Sequence, residues 1–351
     1  MTLSIIIPVY NAENFLSRCI DSLMHQNLDI KRYEILLVDD GSQDNSYAVI
    51  KEMEQAHSNV RGYHKENGGV ADARNYGIDR ASGTYLYFLD GDDYLAYNTL
   101  HIILESMEQN NLDILCFESI KTTAADRTKS DTGPITENPE VTDGITYIAK
   151  KGFQFEVWRY IIRREFFYAT GIRFALDKAL EDPIFTVRLF IAAKRMAKIP
   201  VDVHRYKQEP TSVINRPGRT HAERILSDLG NLAVYYNDLI REYKLLEHPY
   251  KTDFLNQLEA KKQFFAYYSI VRAYSGNFSF KYIWIILQRM RPIKAYPFTA
   301  LEHKDDKLAQ RLQYIFNRKF LLYLFFNGFR PLSNFKNKIR SILKNNLRIK
   351  P

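Results

Sequence analysis

Apolar and polar positions along the first third of the chain switch between two periods. Short runs of β-forming residues read as strands at 3–9, which is apolar and β-branched, and at 33–38, 60–64, 85–89 and 112–118. Between them, apolar residues recur at helical spacing. Residues 13–25 place Phe15, Leu16, Cys19, Ile20, Leu23 and Met24 on one face, and helices follow at 44–56, 70–81 and 95–107, with Asp44 a candidate cap. This alternation predicts an α/β fold: a mostly parallel sheet covered by helices, with ligands at the carboxyl ends of its strands. Residues 121–140, rich in Thr, Ser, Asp, Lys and Pro, read as an exposed loop. A mixed region runs to about residue 215. From Arg219 onward the pattern is helical and predicts no further strand. The expected division is 1–217 and 218–351, with 1–120 and 121–217 as the halves of the first part.

Length and composition fit a large domain with a smaller appendage: 351 residues, 46% hydrophobic. The 24 Tyr and 22 Phe suit a packed core, with some available for stacking on a sugar or base. Two cysteines, Cys19 and Cys116, form neither a disulfide framework nor a zinc pattern, which fits a reducing, cytoplasmic setting. The start, Met-Thr-Leu-Ser-Ile-Ile-Ile-Pro, has no basic n-region, so no signal peptide is expected. The most apolar stretches, 282–287 and 320–326, fall far short of the ~20 residues of a membrane span. The net charge of +8 is concentrated at the end, because residues 311–351 contain no Asp or Glu.

Chemistry gathers at the predicted strand ends. Asp90-Gly91-Asp92-Asp93 follows the apolar run 85–89. Clustered carboxylates repel, and a hard divalent cation bridged to a diphosphate relieves that repulsion, so Mg²⁺ or Mn²⁺ is the expected cofactor. Gly91 is expected to let the backbone turn tightly. The alternative is a solvated turn in which Asp93 caps the next helix. The other strand ends supply Pro8-Val9-Tyr10-Asn11, Asp39-Asp40-Gly41-Ser42 and Lys65-Glu66-Asn67-Gly68-Gly69, the last leading to Ala73-Arg74-Asn75. On one sheet edge, Tyr10 could cover a base, Asp40 could accept from a base N–H, and Arg74 could meet a diphosphate. Singly, each has a structural explanation: an edge aromatic, a turn, an exposed helix charge.

Taken together, these motifs resemble the family 2 inverting glycosyltransferases of GT-A fold, strongly over about the first 120 residues and more weakly to about 215. The resemblance implies a Rossmann-like sheet and a nucleotide-sugar donor, most often a UDP-sugar. It implies that Pro8, Tyr10 and Asp40 contact the nucleoside and that Asn67 and Arg74 help hold the nucleotide. Asp90 would lie near ribose or sugar, and Asp92 would bind the metal. It also places a catalytic base at Asp182 of Glu181-Asp182, a pair that otherwise reads as a helix start before Pro183. Trp158, Arg159, Glu181 and His204 are expected on the acceptor side; a packed helix face and a structural histidine are the alternatives. The product would be a cell-surface polysaccharide, with a glycan or lipid-linked glycan as acceptor.

The basic tail, 311–351, contains a second amphipathic pattern, with Phe335, Ile339, Ile342, Leu343 and Leu347 between lysines and arginines. It suggests peripheral docking on the anionic inner face of the cell membrane, with packing on the core or an oligomer contact as alternatives. Two rival functions remain. A sugar nucleotidyltransferase would show a Gly-rich basic loop where Pro8-Val9-Tyr10-Asn11 stands. A non-catalytic protein binding membrane or nucleic acid would leave the acidic loops unexplained, so no nucleic-acid partner is expected. A processive synthase would carry a Gln-x-x-Arg-Trp motif after Asp182, and the sequence has none.

Overall fold

The computed structural model describes residues 1–123, 127–132, 138–176, 178–207, 218–299 and 307–328. The chain forms two compact units. The first holds residues 1–148 and 155–212, the second 149–154 and 213–351.

The first unit opens with β1 (Leu3–Val9), α1 (Leu16–Met24), β2 (Tyr33–Asp39), α2 (Ser46–Ala56), β3 (Val60–His64), α3 (Val70–Ile78) and β4 (Tyr85–Phe88). Their spatial order is β3-β2-β1-β4, all parallel. β1 is buried along almost its whole length, as a strand with helices on both faces must be. Leu3, Ile5 and Ile7 join Leu16, Ile20 and Leu23 of α1 in one core. On the other face Gly77 brings α3 against β1: a Cβ there would sit 2.4 Å from Cγ2 of Ile6.

Beyond β4 the chain adds β5 (Tyr94–Leu95), α4 (Leu100–Gln109), β6 (Ile114–Thr122), α5 (Gly144–Lys151), β7 (Tyr160–Arg163), α6 (Arg164–Thr170), α7 (Asp182–Ala192) and β8 (Met196–Lys207). The eight-stranded sheet runs β3-β2-β1-β4-β7-β6-β8-β5. β7 is inserted antiparallel between β4 and β6, so the sheet is a parallel half joined to a mixed half. The expected α/β class holds.

Two local expectations are corrected. The helix predicted from residue 95 begins at Leu100, because Tyr94 and Leu95 pair with Arg205 and His204 of β8. Asp93 therefore caps no helix; its Oδ1 accepts from the Lys207 backbone N–H at 2.8 Å. β7 and β8 lie in the region read only as mixed.

The second unit is helical: α8 (Arg219–Glu242), α9 (Lys251–Ser275), α10 (Phe280–Met290), α11 (Lys307–Phe316) and α12 (Lys319–Asn327). It has no strand among its described residues, as the sequence pattern predicts. The amphipathic pattern at 335–347 lies outside the described residues.

Candidate functional site

The carboxyl ends of β1, β2 and β3 are tied into one platform. Past β1, half-buried Pro8 and Tyr10 lead to Asn11, which takes a left-handed φ of 51° that Asn tolerates. Asn11 accepts from the Gln43 backbone N–H at 2.8 Å and donates its own to Ser42 Oγ at 3.0 Å. Asp40, buried past β2, is the anchor of the third loop. Its carboxylate accepts from Lys65 Nζ at 2.7 Å and from the backbone N–H groups of Gly68 and Gly69 at 2.9 and 2.7 Å. Exposed Asn67 donates its amide to the Asp40 carbonyl at 2.7 Å. Gly41 has a φ of 71°, and a Cβ there would lie 3.0 Å from the Asn67 nitrogen. No larger residue fits that junction without moving the loop.

The acidic loop sits beside this platform. A Cβ on Gly91 would lie 3.4 Å from the Pro8 carbonyl oxygen. The turn is closed by the Asp93 N–H donating to the Asp90 carbonyl at 3.0 Å. Gly91 does not take a positive φ, so the turn does not depend on glycine's conformational freedom, contrary to the sequence expectation. The three acids have different environments. Asp90 keeps 30% of its side chain exposed and pairs with Arg74. Asp92 is half-buried, and its carbonyl accepts from Arg18 Nη2 at 3.3 Å. Asp93 is buried, and burial, followed by the nearby Asp90 charge, pushes its carboxyl well above the usual range. The cluster's field reaches its neighbours. Burial raises the Tyr206 phenol, and Asp93, Asp92 and Asp90 raise it further.

Among the described residues no three His, Cys, Asp or Glu side chains are grouped to hold a metal ion by themselves. The carboxylates that the sequence expectation offers to a metal are Asp92 and Asp90 of this loop. Two carboxylates whose shell is completed by substrate phosphate oxygens and water are what Mg²⁺ and related hard cations take in nucleotide sites, so the residues fit such an ion.

Arg74 connects this loop to the start of α7. It is 4% exposed. Its Nη2 donates to Asp90 Oδ1 at 2.9 Å, and its Nη1 to Glu181 Oε1 and Asp182 Oδ1, both at 2.8 Å. Phe174 packs with its ring centroid 5.3 Å from the guanidinium. Burial alone would lower the Arg74 pKa, but Asp182, Asp90 and Glu181 outweigh it and hold the group firmly charged. The acids move the other way. Burial raises Asp182 well above the carboxylate range; Arg74 opposes this, while Glu181 and Asp90 add to it. Glu181 is raised by burial against the same Arg74. Asp182 keeps 20% of its side chain exposed, against 7% for Glu181, so Asp182 is the carboxylate of the pair that faces outward.

A third group lies on β8 and the turn before β7. His204 is fully buried and stacks on Trp158, with centroids 4.2 Å apart and planes 11° from parallel. Tyr206 stacks on the same indole at 5.6 Å. The Arg159 guanidinium lies 4.8 Å from the Trp158 ring. His204 Nδ1 pairs with Ser119 Oγ at 2.9 Å, and burial, then Arg159, pushes its pKa down to about 3, so the ring is neutral. Its Nε2 lies 3.1 Å from Asp93 Oδ2, but neither atom has a hydrogen-bond partner in alignment.

The structure thus joins Arg74, Asp90, Glu181 and Asp182 in one cluster, Asp40 with Asn67 in a second, and Trp158, Arg159 and His204 in a third that touches Asp93. Sequence reasoning did not single out Ser119; Tyr206 follows His204 at period 2 on one strand face, which is why both reach Trp158. Residues 211–214, the Ser-bearing segment that follows, lie outside the described residues.

Comparison with known proteins agrees with this geometry. The family description "Glycosyl transferase family 2" matches residues 4–185. The chain is 36% identical over 220 residues to the uncharacterized glycosyltransferase EpsJ of Bacillus subtilis, covering 61% of this chain and 63% of that one. It is 30% identical over 202 residues to the poly(ribitol-phosphate) beta-glucosyltransferase of Bacillus spizizenii, covering 56% of this chain and 31% of that one. The match therefore spans less than two thirds of either relative. Among solved structures, S. aureus TarS 1–349 superposes with a TM-score of 0.61 at 18% identity, over 93% of this chain and 92% of that one. Its complex with UDP-GlcNAc gives 0.55 at 17% identity, over 84% and 88%. The Pyrobaculum calidifontis mannosyltransferase in complex with GDP-Man and Mn²⁺ gives 0.52 at 14% identity, over 99% and 88%. At these identities the structural likeness speaks for the fold, which is GT-A. By the family match over more than half its length, the chain belongs to glycosyl transferase family 2.

Proposed function

We propose that the protein is an inverting glycosyltransferase that moves a sugar from a nucleotide-diphosphate sugar to a hydroxyl of a glycan or lipid-linked glycan, in cell-surface polysaccharide synthesis. The observation that supports this best is the Arg74 fork. One buried cation holds Asp90, on the expected donor side, and Asp182, the expected base, within hydrogen-bond reach of a single guanidinium. Both acids are raised, and Asp182 is the more exposed of the two, which suits a carboxylate that must take a proton in the reaction.

In this reading the acceptor hydroxyl gives its proton to Asp182 as its oxygen bonds to the anomeric carbon. The bond from that carbon to the diphosphate breaks, and the nucleoside diphosphate leaves with the electron pair. Attack from the face opposite the leaving group inverts the centre. A bound Mn²⁺ or Mg²⁺ supplies charge neutralisation for the departing diphosphate, and Asp92, with Asp90 beside it, would hold it. Pro8, Tyr10, Asp40 and Asn67 would border the nucleoside. Asp40 acts there chiefly through the loop it pins, since its carboxylate already accepts three donors from residues 65–69. Trp158, Arg159, Glu181 and His204 would border the acceptor. Uridine is the favoured base because the structural neighbour TarS has been solved with UDP-GlcNAc.

Residues 1–217 would form the catalytic domain and 218–351 the helical region. Peripheral association with the inner face of the membrane, through residues 311–351, would bring the enzyme to a lipid-linked acceptor. No helix among the described residues is long and apolar enough to cross a membrane. The test is turnover of a nucleotide-sugar panel with Mn²⁺, with the product anomer read by NMR. An α-linked donor should give a β-linked product. A retained configuration, or release of a sugar-nucleotide instead of its consumption, would overturn the reading.

A further inference from the structure

The second unit carries a surface that sugar transfer leaves unexplained. α12 is apolar on both sides. Leu322, Phe325 and Phe326 are buried, with Phe325 and Phe326 against Tyr274 at 4.5 and 5.6 Å. On the other side Phe320, Tyr323 and Leu324 are open to solvent, Phe320 at 69%. A helix apolar all round normally buries both faces. The aromatic surface continues onto α10. Phe280 meets Tyr323 edge-on at 5.3 Å and stacks on Trp284 at 5.8 Å, and Ile285 beside it is exposed.

The rim of this surface is cationic. Lys319 Nζ lies 5.0 Å from the Trp284 ring centroid and the Arg291 guanidinium 5.5 Å. Lys281, Arg289, Arg291, Lys294, Arg311, Arg318 and Lys319 are all exposed, and α10 and α12 themselves carry no Asp or Glu; the acids between them in sequence, Glu302, Asp305 and Asp306, lie outside the described residues. Charge complementarity therefore selects an anionic occupant. Indole and phenol rings with lysine and arginine stems around them suit the boundary between lipid headgroups and acyl chains.

We propose that the α10–α12 surface docks on an anionic lipid bilayer, with Trp284, Phe320 and Tyr323 entering the headgroup layer and the basic rim meeting lipid phosphates. Each cation near such a surface multiplies binding roughly fivefold. The proposal deepens the membrane-association part of the proposed function by placing the contact on a folded surface. Its readout needs no substrate, so its failure would leave the sugar-transfer reading standing.

The test is flotation of the full chain with phosphatidylglycerol-containing and pure phosphatidylcholine vesicles, combined with brominated-lipid quenching. The expected result is binding to the anionic vesicles only, weakened by salt, with quenching that disappears in Trp284→Phe. A Phe320→Ser/Tyr323→Ser variant should lose at least roughly tenfold in partitioning, given two rings removed from the contact. A Lys336→Gln/Lys338→Gln/Arg340→Gln variant should keep the Trp284 quenching. Three outcomes would each overturn the proposal: no quenching of Trp284 in wild type, wild-type flotation by the ring variant, or a wild-type dimer that the ring variant turns to monomer. The quenching arm uses the unaltered chain, so a misfolded variant cannot mask the answer.

Discussion

Replacing Arg74 by Met removes the charge and the fork while keeping a long side chain, and it leaves Glu181, Asp182 and Asp90 facing one another. The magnitude follows from burial. Arg74 and Glu181 are 4% and 7% exposed, so theirs is a buried pair, and breaking such a pair from one side costs about 3–5 kcal/mol. The link to Asp90, 30% exposed, adds about 0.2–1 kcal/mol at most. The penalty should also depend on pH. Arg74 holds down the already raised pKa values of Glu181 and Asp182, so without the guanidinium these two rise further, and a group raised in the folded state has its full stability below its unfolded pKa and loses it as pH rises through the folded pKa. Glu181 and Asp182 are already raised, so the gap between variant and wild type should be widest near neutral pH and close on acidification toward the ordinary carboxylate range. Urea unfolding in a Trp284→Phe background reads the first unit alone, because Trp158 is then the one indole and lies in that unit. Arg74→Lys should recover part of the loss, since one ammonium cannot present two nitrogens in a fork. A difference under about 1 kcal/mol, the range of an exposed pair, or one that does not change with pH, would refute this account of the cluster.

Other outcomes follow from the same geometry. kcat/KM should fall on acidification, because Asp182 must be ionised to take a proton, and the acid limb should lie above the ~3.9 of an ordinary Asp; a limb at or below that value would contradict the raised pKa. Asp92→Ala should abolish metal-stimulated turnover while shifting stability by less than about 0.5 kcal/mol, as expected for a half-buried loop side chain, by thermal melting. Asp40→Ala should loosen the 65–69 loop and weaken UDP binding by calorimetry, and unchanged affinity would remove Asp40 from the nucleotide platform.

The parallel half of the sheet was legible because β1, β2 and β4 are nearly continuous apolar runs, the signature that burial on both faces leaves, and because Asp-Gly turns follow β2 and β4. The mixed half was not. β7 is four residues long, and β8 interrupts its alternation with Pro200 and charged residues. Its register with β6 also shifts near Glu118. Leu95 fits the helical period of α4, yet pairing of Tyr94 and Leu95 with β8 overrode that local preference. Glu181 and Asp182 could be read both as a helix start and as a reactive pair, and α7 does begin at Asp182 with Pro183 in its first turn. Their tie to Arg74, across 107 and 108 residues, could not be read, because periodicity reports only neighbours along one element.

The most direct test of the account is Asp182→Asn, assayed for both UDP affinity and transfer to an acceptor. Asn keeps the side-chain shape and an oxygen for Arg74 but cannot take the proton. The account predicts nearly unchanged nucleotide binding with transfer reduced by ~100- to 10,000-fold. Transfer close to the wild-type rate would contradict it and remove Asp182 as the base.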